Sequence, residues 1–105
     1  MQQASELIEL ARAWMSAHLE SKEPIARLCD YLNLSQSTLY RLFMAEVQTS
    51  PLACFHQLRM QMATQLLTSS DRPVKEIAFQ LGYQHFNDLS RAYRKHYGHS
   101  PTDSR

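Results

Sequence analysis

The sequence predicts an all-α fold in which two similar helical units flank one long central helix. Three observations predict it. Only two glycines and four prolines punctuate 105 residues, too few turn residues for a sheet protein. Apolar residues recur three and four positions apart through six successive stretches. Two segments of the chain also repeat each other, about 50 residues apart. With 44% hydrophobic and 20% charged residues the composition is that of an ordinary folded chain, not a disordered one.

Each helix has its own signals. Leu7, Leu10, Ala11, Trp14 and His18, with Ile8 and Met15 alongside, predict a first helix from about Ala4 to Leu19. Ser21-Lys22-Glu23 breaks it. Pro24 suits a first helical position, where its missing N–H costs nothing, and Ile25, Leu28, Cys29 and Leu32 make a short second helix. Asn33 tolerates the left-handed exit that ends it. Ser35 then caps a third helix whose apolar stripe is Leu39, Leu42, Phe43 and Val47. Ser50-Pro51 opens a long fourth helix reaching about Thr68, with Leu52, Phe55, Leu58, Met62 and Leu66 as its expected buried residues. After the polar stretch 68–72, Pro73 opens a fifth helix that buries Val74, Ile77, Ala78 and Leu81, and Gly82 ends it. A sixth helix starts near Gln84 or His85, buries Leu89, Tyr93 and Tyr97, and stops at Gly98.

The repeat gives these helices an arrangement. Leu28-Cys29 followed by Asn33-Leu34 matches Ile77-Ala78 followed by Gly82-Tyr83. Leu39-Tyr40-Arg41-Leu42-Phe43 matches Leu89-Ser90-Arg91-Ala92-Tyr93, and Ser50-Pro51 matches Ser100-Pro101. The second copy has one extra residue between its turn and its second helix. In each copy a small residue, Cys29 or Ala78, permits a close crossing, and a residue that accepts positive φ makes the turn. This is the layout of a helix-turn-helix, whose second helix can enter a DNA major groove. The fold class is therefore two tandem helix-turn-helix subdomains joined by a long central helix.

The same residues resemble the AraC/XylS family of transcription regulators. The resemblance is carried by Ile77-Ala78-Phe79-Gln80-Leu81-Gly82-Tyr83, by Leu89-Ser90-Arg91-Ala92-Tyr93-Arg94 and by Tyr97-Gly98-His99-Ser100-Pro101. Arg59 through Leu67 is similar to the family's connecting helix, and Ser35, Leu39, Arg41 and Phe43 fit its first helix-turn-helix. The resemblance covers about residues 5–101. It implies a single DNA-binding domain over 1–105: a first subdomain at about 4–50, a linker helix at 51–68, a second subdomain at 69–101 and a tail at 102–105. It also implies a short seventh helix after Pro101. Asn33 stands where the family often has glycine, and Gln84-His85-Phe86-Asn87-Asp88 departs from its usual serine-rich start to the second reading helix.

With Leu39, Leu42 and Phe43 turned inward, Ser37, Tyr40, Arg41 and Met44 form the outward face of the third helix. The resemblance implies that Ser37, Tyr40 and Arg41 read bases. Arginine suits this role because its fork binds guanine O6 and N7 together. The sixth helix presents Asn87, Asp88, Arg91 and Lys95. Asn87 suits adenine and Arg91 guanine, while Asp88 is open to two readings: acceptor from cytosine N4, or a first-turn acid paired with Arg91. Arg94, Lys95 and His96 beside that face, with the helix starts at Ser35 and Gln84, are the expected phosphate contacts. Arg72 and Lys75 are weaker candidates. Trp14, Phe43, Phe55, Phe79, Tyr93 and Tyr97 read as core. Phe86 is either a cap on the core or an apolar contact to a thymine methyl.

Net charge is +1, divided as −2 over residues 1–50 and +3 over residues 51–105, a mild bias toward an anionic partner. The expected partner is double-stranded DNA, with RNA polymerase as a second. The resemblance implies an effector or dimerisation domain elsewhere in a longer parent chain. The alternative is a short stand-alone activator, which would need more phosphate neutralisation of its own. No apolar run approaches the roughly 20 residues of a membrane span, and Met1–Leu10 lacks the pattern of a signal peptide. Two lone cysteines, Cys29 and Cys54, suit the reducing cytoplasm, and the resemblance implies the bacterial nucleoid. Enzyme readings find little: His96 and His99 lack the further ligands a zinc site needs, Cys29 and His56 lack a third member, and no phosphate-binding glycine loop exists. No cofactor or metal is expected. A helical module that docks another protein is the rival to DNA binding, supported by the modest charge and by Asp88.

Overall fold

Prolines and left-handed residues set the boundaries of the helices. The computed structural model describes Gln2–Arg105. Its elements are α1 (Gln2–Ala17), α2 (Pro24–Leu32), α3 (Gln36–Val47), α4 (Pro51–Ser69), α5 (Val74–Gln80) and α6 (Phe86–Tyr97), closed by a 3-10 turn at Pro101–Ser104. This single 3-10 turn stands where the resemblance implies the start of a short seventh helix. Among the described residues there is no strand. The chain divides into two compact units at Leu58/Arg59, inside α4, so that one continuous helix contributes to both.

In the first unit α1, α2 and α3 pack on one another. The α2–α3 turn runs through Asn33 at φ 59°, where the Leu34 N–H reaches back to the Cys29 carbonyl at 3.0 Å. In the second unit α5 packs on α6. The α5–α6 turn runs through Gly82 at φ 89°, and the Tyr83 N–H reaches the Ala78 carbonyl, again at 3.0 Å. Both turns satisfy the carbonyls left open at a helix end by the same left-handed bond pattern. The repeat goes one step further than the sequence suggests. Gln48 after α3 has φ 55°, and Gly98 after α6 has φ 85°.

The cores are apolar. Ile8, Ala11, Met15, Leu19, Leu28, Cys29, Leu39, Phe43, Cys54 and Phe55 are buried in the first unit. Met60, Ala63, Leu67, Ile77, Ala78, Leu81, Leu89 and Tyr93 are buried in the second. Burial also raises the pKa of the Cys29 thiol, and Asp30 adds to the effect, so it packs as a small apolar side chain. Tyr93 carries a polar relay: its hydroxyl lies 2.8 Å from Thr64 Oγ1 of α4 and 2.6 Å from Ser104 Oγ of the closing turn. Arg105 then donates from Nε to the Leu67 carbonyl at 3.1 Å and from a terminal nitrogen to the Ser70 carbonyl at 3.2 Å, covering acceptors at the end of α4. Residues 102–105, expected as a polar tail, are thus folded against their own unit.

Several faces differ from the expectation. α1 buries Ile8, Ala11 and Met15, whereas Leu10 is exposed and Leu7, Trp14 and His18 are half-buried. Two apolar stripes overlap on this helix and share the small Ala11, and packing selects the side that carries Ile8 and Met15. Trp14 instead stacks on His18, ring centres 4.2 Å apart, and the His18 ring nitrogen bonds the Trp14 carbonyl at 2.7 Å. In α4, Leu52 is 59% exposed, because Pro51 is itself buried and Cys54 and Phe55 complete that face. Leu58, Met62 and Leu66 are half-buried, and Met60, Ala63 and Leu67 take the second unit's core. Val74 and Leu42 are half-buried, while Phe79 and Tyr97 are exposed rather than core. Tyr97 ends α6, and its ring packs beside Tyr93 at 4.6 Å instead of beneath the helix.

Candidate nucleic-acid interface

The first candidate face is built on α3. Leu39 and Phe43 are fully buried, which turns Ser37, Tyr40, Arg41 and Met44 outward into solvent. The helix start is fixed by Ser35, whose Oγ accepts from the Thr38 N–H at 3.1 Å. That hydroxyl also donates to Thr38 Oγ1 at 2.9 Å, and Thr38 Oγ1 accepts from the Arg41 guanidinium at 3.4 Å. The cap and the arginine therefore belong to one chain of hydrogen bonds along the exposed side of α3. Ser35, expected as a phosphate contact through the helix start, spends its hydroxyl on this cap.

The second face is built on α6. Leu89 and Tyr93 are buried, and Asn87, Arg91, Arg94 and Lys95 are exposed. Asp88 is half-buried and accepts from Arg91 at 2.9 Å, while the arginine side chain stays 78% exposed. The pair between Asp88 and Arg91 is thus formed in the free chain. Arg94, Lys95 and His96 occupy the last turn, where cations complement the helix dipole. The helix begins at Phe86 after His85, which offers it no side-chain cap. Gln84 lies before the cap and is exposed.

The second face is also concave. One hollow is lined by Lys75, Phe79, Gln84, His85, Phe86, Asn87, Asp88 and Arg91. Another is lined by Asn87, Ser90, Arg91, Arg94 and Ser100, so that Asn87 and Arg91 border both. Phe79 and His85 were not read as site residues. For Phe79 the signal was present: Ile77, Ala78 and Leu81 fix the buried side of α5, and position 79 falls opposite it. Of the weaker candidates, Lys75 joins the hollow and Arg72 donates to Gln80 Oε1. Arg59 lies over the Tyr83 ring at 5.2 Å, which ties α4 to the second turn. Burial raises the Tyr83 pKa although Arg59 opposes the shift. Among the described residues no group of three or more His, Cys, Asp or Glu side chains could hold a metal ion.

Two outward helices, each following a left-handed turn, define a tandem helix-turn-helix domain. The family model for a helix-turn-helix domain matches residues 28–105. The chain is 35% identical over 99 residues to the raffinose operon transcriptional regulatory protein of Pediococcus pentosaceus, covering 94% of this chain and 36% of that protein. It superposes on an AraC-type DNA-binding domain regulator from Chromobacterium violaceum with TM-score 0.89 and 25% identity, covering 100% of this chain and 94% of the other. The DNA-binding domain of the global transcriptional factor AdpA, solved with a target DNA, superposes with TM-score 0.81 and 27% identity, covering 95% and 86%. The chain belongs to the AraC/XylS family of helix-turn-helix transcription regulators, whose members here are DNA-binding regulators rather than enzymes. It spans about a third of the length of the curated relatives it matches. No helix of the described residues is long and apolar enough to cross a membrane.

Proposed function

We propose that this DNA-binding domain reads an asymmetric duplex site, with α3 and α6 in successive major-groove segments about one helical turn, roughly 34 Å, apart. The observation that carries the reading is the matched outward placement of Arg41 and Arg91, each two residues after a buried leucine and two before a buried aromatic. In the first segment Ser37, Tyr40 and Arg41 meet base edges. In the second, Asn87 and Arg91 do so, and Asp88 orients Arg91. Arg94 and Lys95 meet phosphates, joined by the backbone N–H groups at the starts of α3 and α6, near Ser35 and Gln84. Because the two faces differ in every outward side chain except the arginine, the half-sites differ in sequence.

The near-neutral charge and the shortness of the chain beside its relatives support a longer parent regulator. That parent carries an effector or dimerisation domain, acts in the cytoplasm at the nucleoid, and contacts RNA polymerase. Selection of bound sequences from random duplexes tests the reading. It should return two unlike half-sites one turn apart, with binding that weakens steeply as salt rises. Recovery of no preferred sequence would refute it.

A further inference from the structure

The second face holds two aromatic rings that its own unit does not cover. Phe79 is 50% exposed and Phe86 is 46% exposed, and both line the hollow that Arg91 and Asn87 border. Nothing in helix formation asks for either. Phe86 is the first residue of α6, a position suited to proline or an acid, and aromatics are middling helix formers. The hollow is also lined by Lys75, Gln84, His85, Asn87, Asp88 and Arg91, so the two rings lie among polar and charged side chains. Its cations, Lys75 and Arg91, suit an anionic partner. In the major groove the apolar feature presented by a base edge is a methyl group on C5 of a pyrimidine.

We infer that Phe86, backed by Phe79, forms an apolar seat for a pyrimidine C5-methyl group beside the guanine read by Arg91. The inference rests on the proposed DNA-reading function and deepens it. The second reading head thereby gains a specificity contact that makes no hydrogen bond. Thymine and 5-methylcytosine both carry this methyl, so the seat recognises the group and not the base. In the first head the position that matches Phe86 at the helix start is the polar Gln36, which is exposed.

The test uses a duplex selected by this protein. Thymines in the half-site whose preference is relaxed by Arg91→Ala are replaced one at a time by deoxyuridine, which removes only the methyl. In a second series cytosines there are replaced by 5-methylcytosine. A thymine seat predicts one deoxyuridine position that weakens binding about fourfold, the effect of one buried methyl. A 5-methylcytosine seat predicts instead one position at which adding the methyl strengthens binding by a similar factor. In either case Phe86→Ala should abolish the response, Phe86→Leu should keep part of it, and Phe79→Ser should reduce it. Sequence-selective binding that ignores both series overturns the inference and leaves the DNA-reading function standing. So does a full methyl response in Phe86→Ala, and the exposed rings then serve a protein partner. Loss of all sequence-selective binding in the parent chain would overturn both.

Discussion

The two helix-turn-helix units share one backbone plan and use different chemistry to hold it. Both turn through a left-handed residue and close with the same 3.0 Å bond from the residue after the turn to Cys29 or Ala78. The matching inward aromatics are Phe43 and Tyr93, both buried. Phe43 packs with no polar atom of its own. Tyr93 adds a hydroxyl bridged to Thr64 and Ser104. α3 begins with a serine cap, whereas α6 begins at His85 with none. The first unit thus fixes its outward helix at its start. The second fixes its helix from beneath, through Tyr93 and the closing turn, and leaves the start of α6 to carry exposed aromatic side chains. The difference teaches that the same outward placement of the second helix survives when its start carries no side-chain cap.

The largest way to break the comparison is at the turns. Gly82→Val should destabilise the chain by about 1–3 kcal/mol through strain at positive φ. Asn33→Gly should change stability little, because the left-handed conformation is already in place. Denaturant unfolding of the two variants checks this, and equal tolerance of valine at both turns would dissolve the structural match between the units. The next effect lies beneath α6. Tyr93→Phe leaves Thr64 and Ser104 without their shared partner and should cost about 1–2 kcal/mol, and amide exchange should show the loss confined to the second unit. Exchange that rises equally in both units would mean that they do not hold their helices separately.

A smaller effect separates the helix starts. Ser35→Ala should cost about 1 kcal/mol, and His85→Ala should cost nothing, since no cap is lost. His85→Ser should instead stabilise the second unit by a few tenths to about 1 kcal/mol. Thermal unfolding of the three variants ranks them, and a cost at His85 equal to that at Ser35 would show that the histidine does more than stand at the boundary.

Much of this was legible in the sequence, for local reasons. Asn33, Gly82, Ser35 and the prolines act through the backbone within a few residues, so the helix order and both turns followed from them. The outward placement of Arg41 and Arg91 followed from the spacing of Leu39 with Phe43 and Leu89 with Tyr93. The faces of α1 and α4 were not legible, because each helix carries overlapping apolar stripes and only packing selects one. The prolines carried a second role: Pro24 and Pro51 were read as helix starts alone, yet both are also buried, and Pro51 takes the place expected of Leu52. The hollow beside α6 was illegible because Phe79 and Phe86 come from different helices, and only the fold brings them to one site.

The central claim is that Arg41 and Arg91 occupy equivalent places and read bases at opposite ends of one site. Titration of Arg41→Ala, Arg91→Ala, Arg94→Ala and Lys95→Ala on specific and random duplexes at several salt concentrations tests it most directly. The first two should each lose about 1–3 kcal/mol on the specific duplex, with preference relaxed at one end only, a different end for each. The last two should weaken binding to every sequence and lower the salt slope by about one each. If Arg41→Ala and Arg91→Ala weaken specific and random duplexes equally, both arginines are phosphate contacts and the reading faces lie elsewhere.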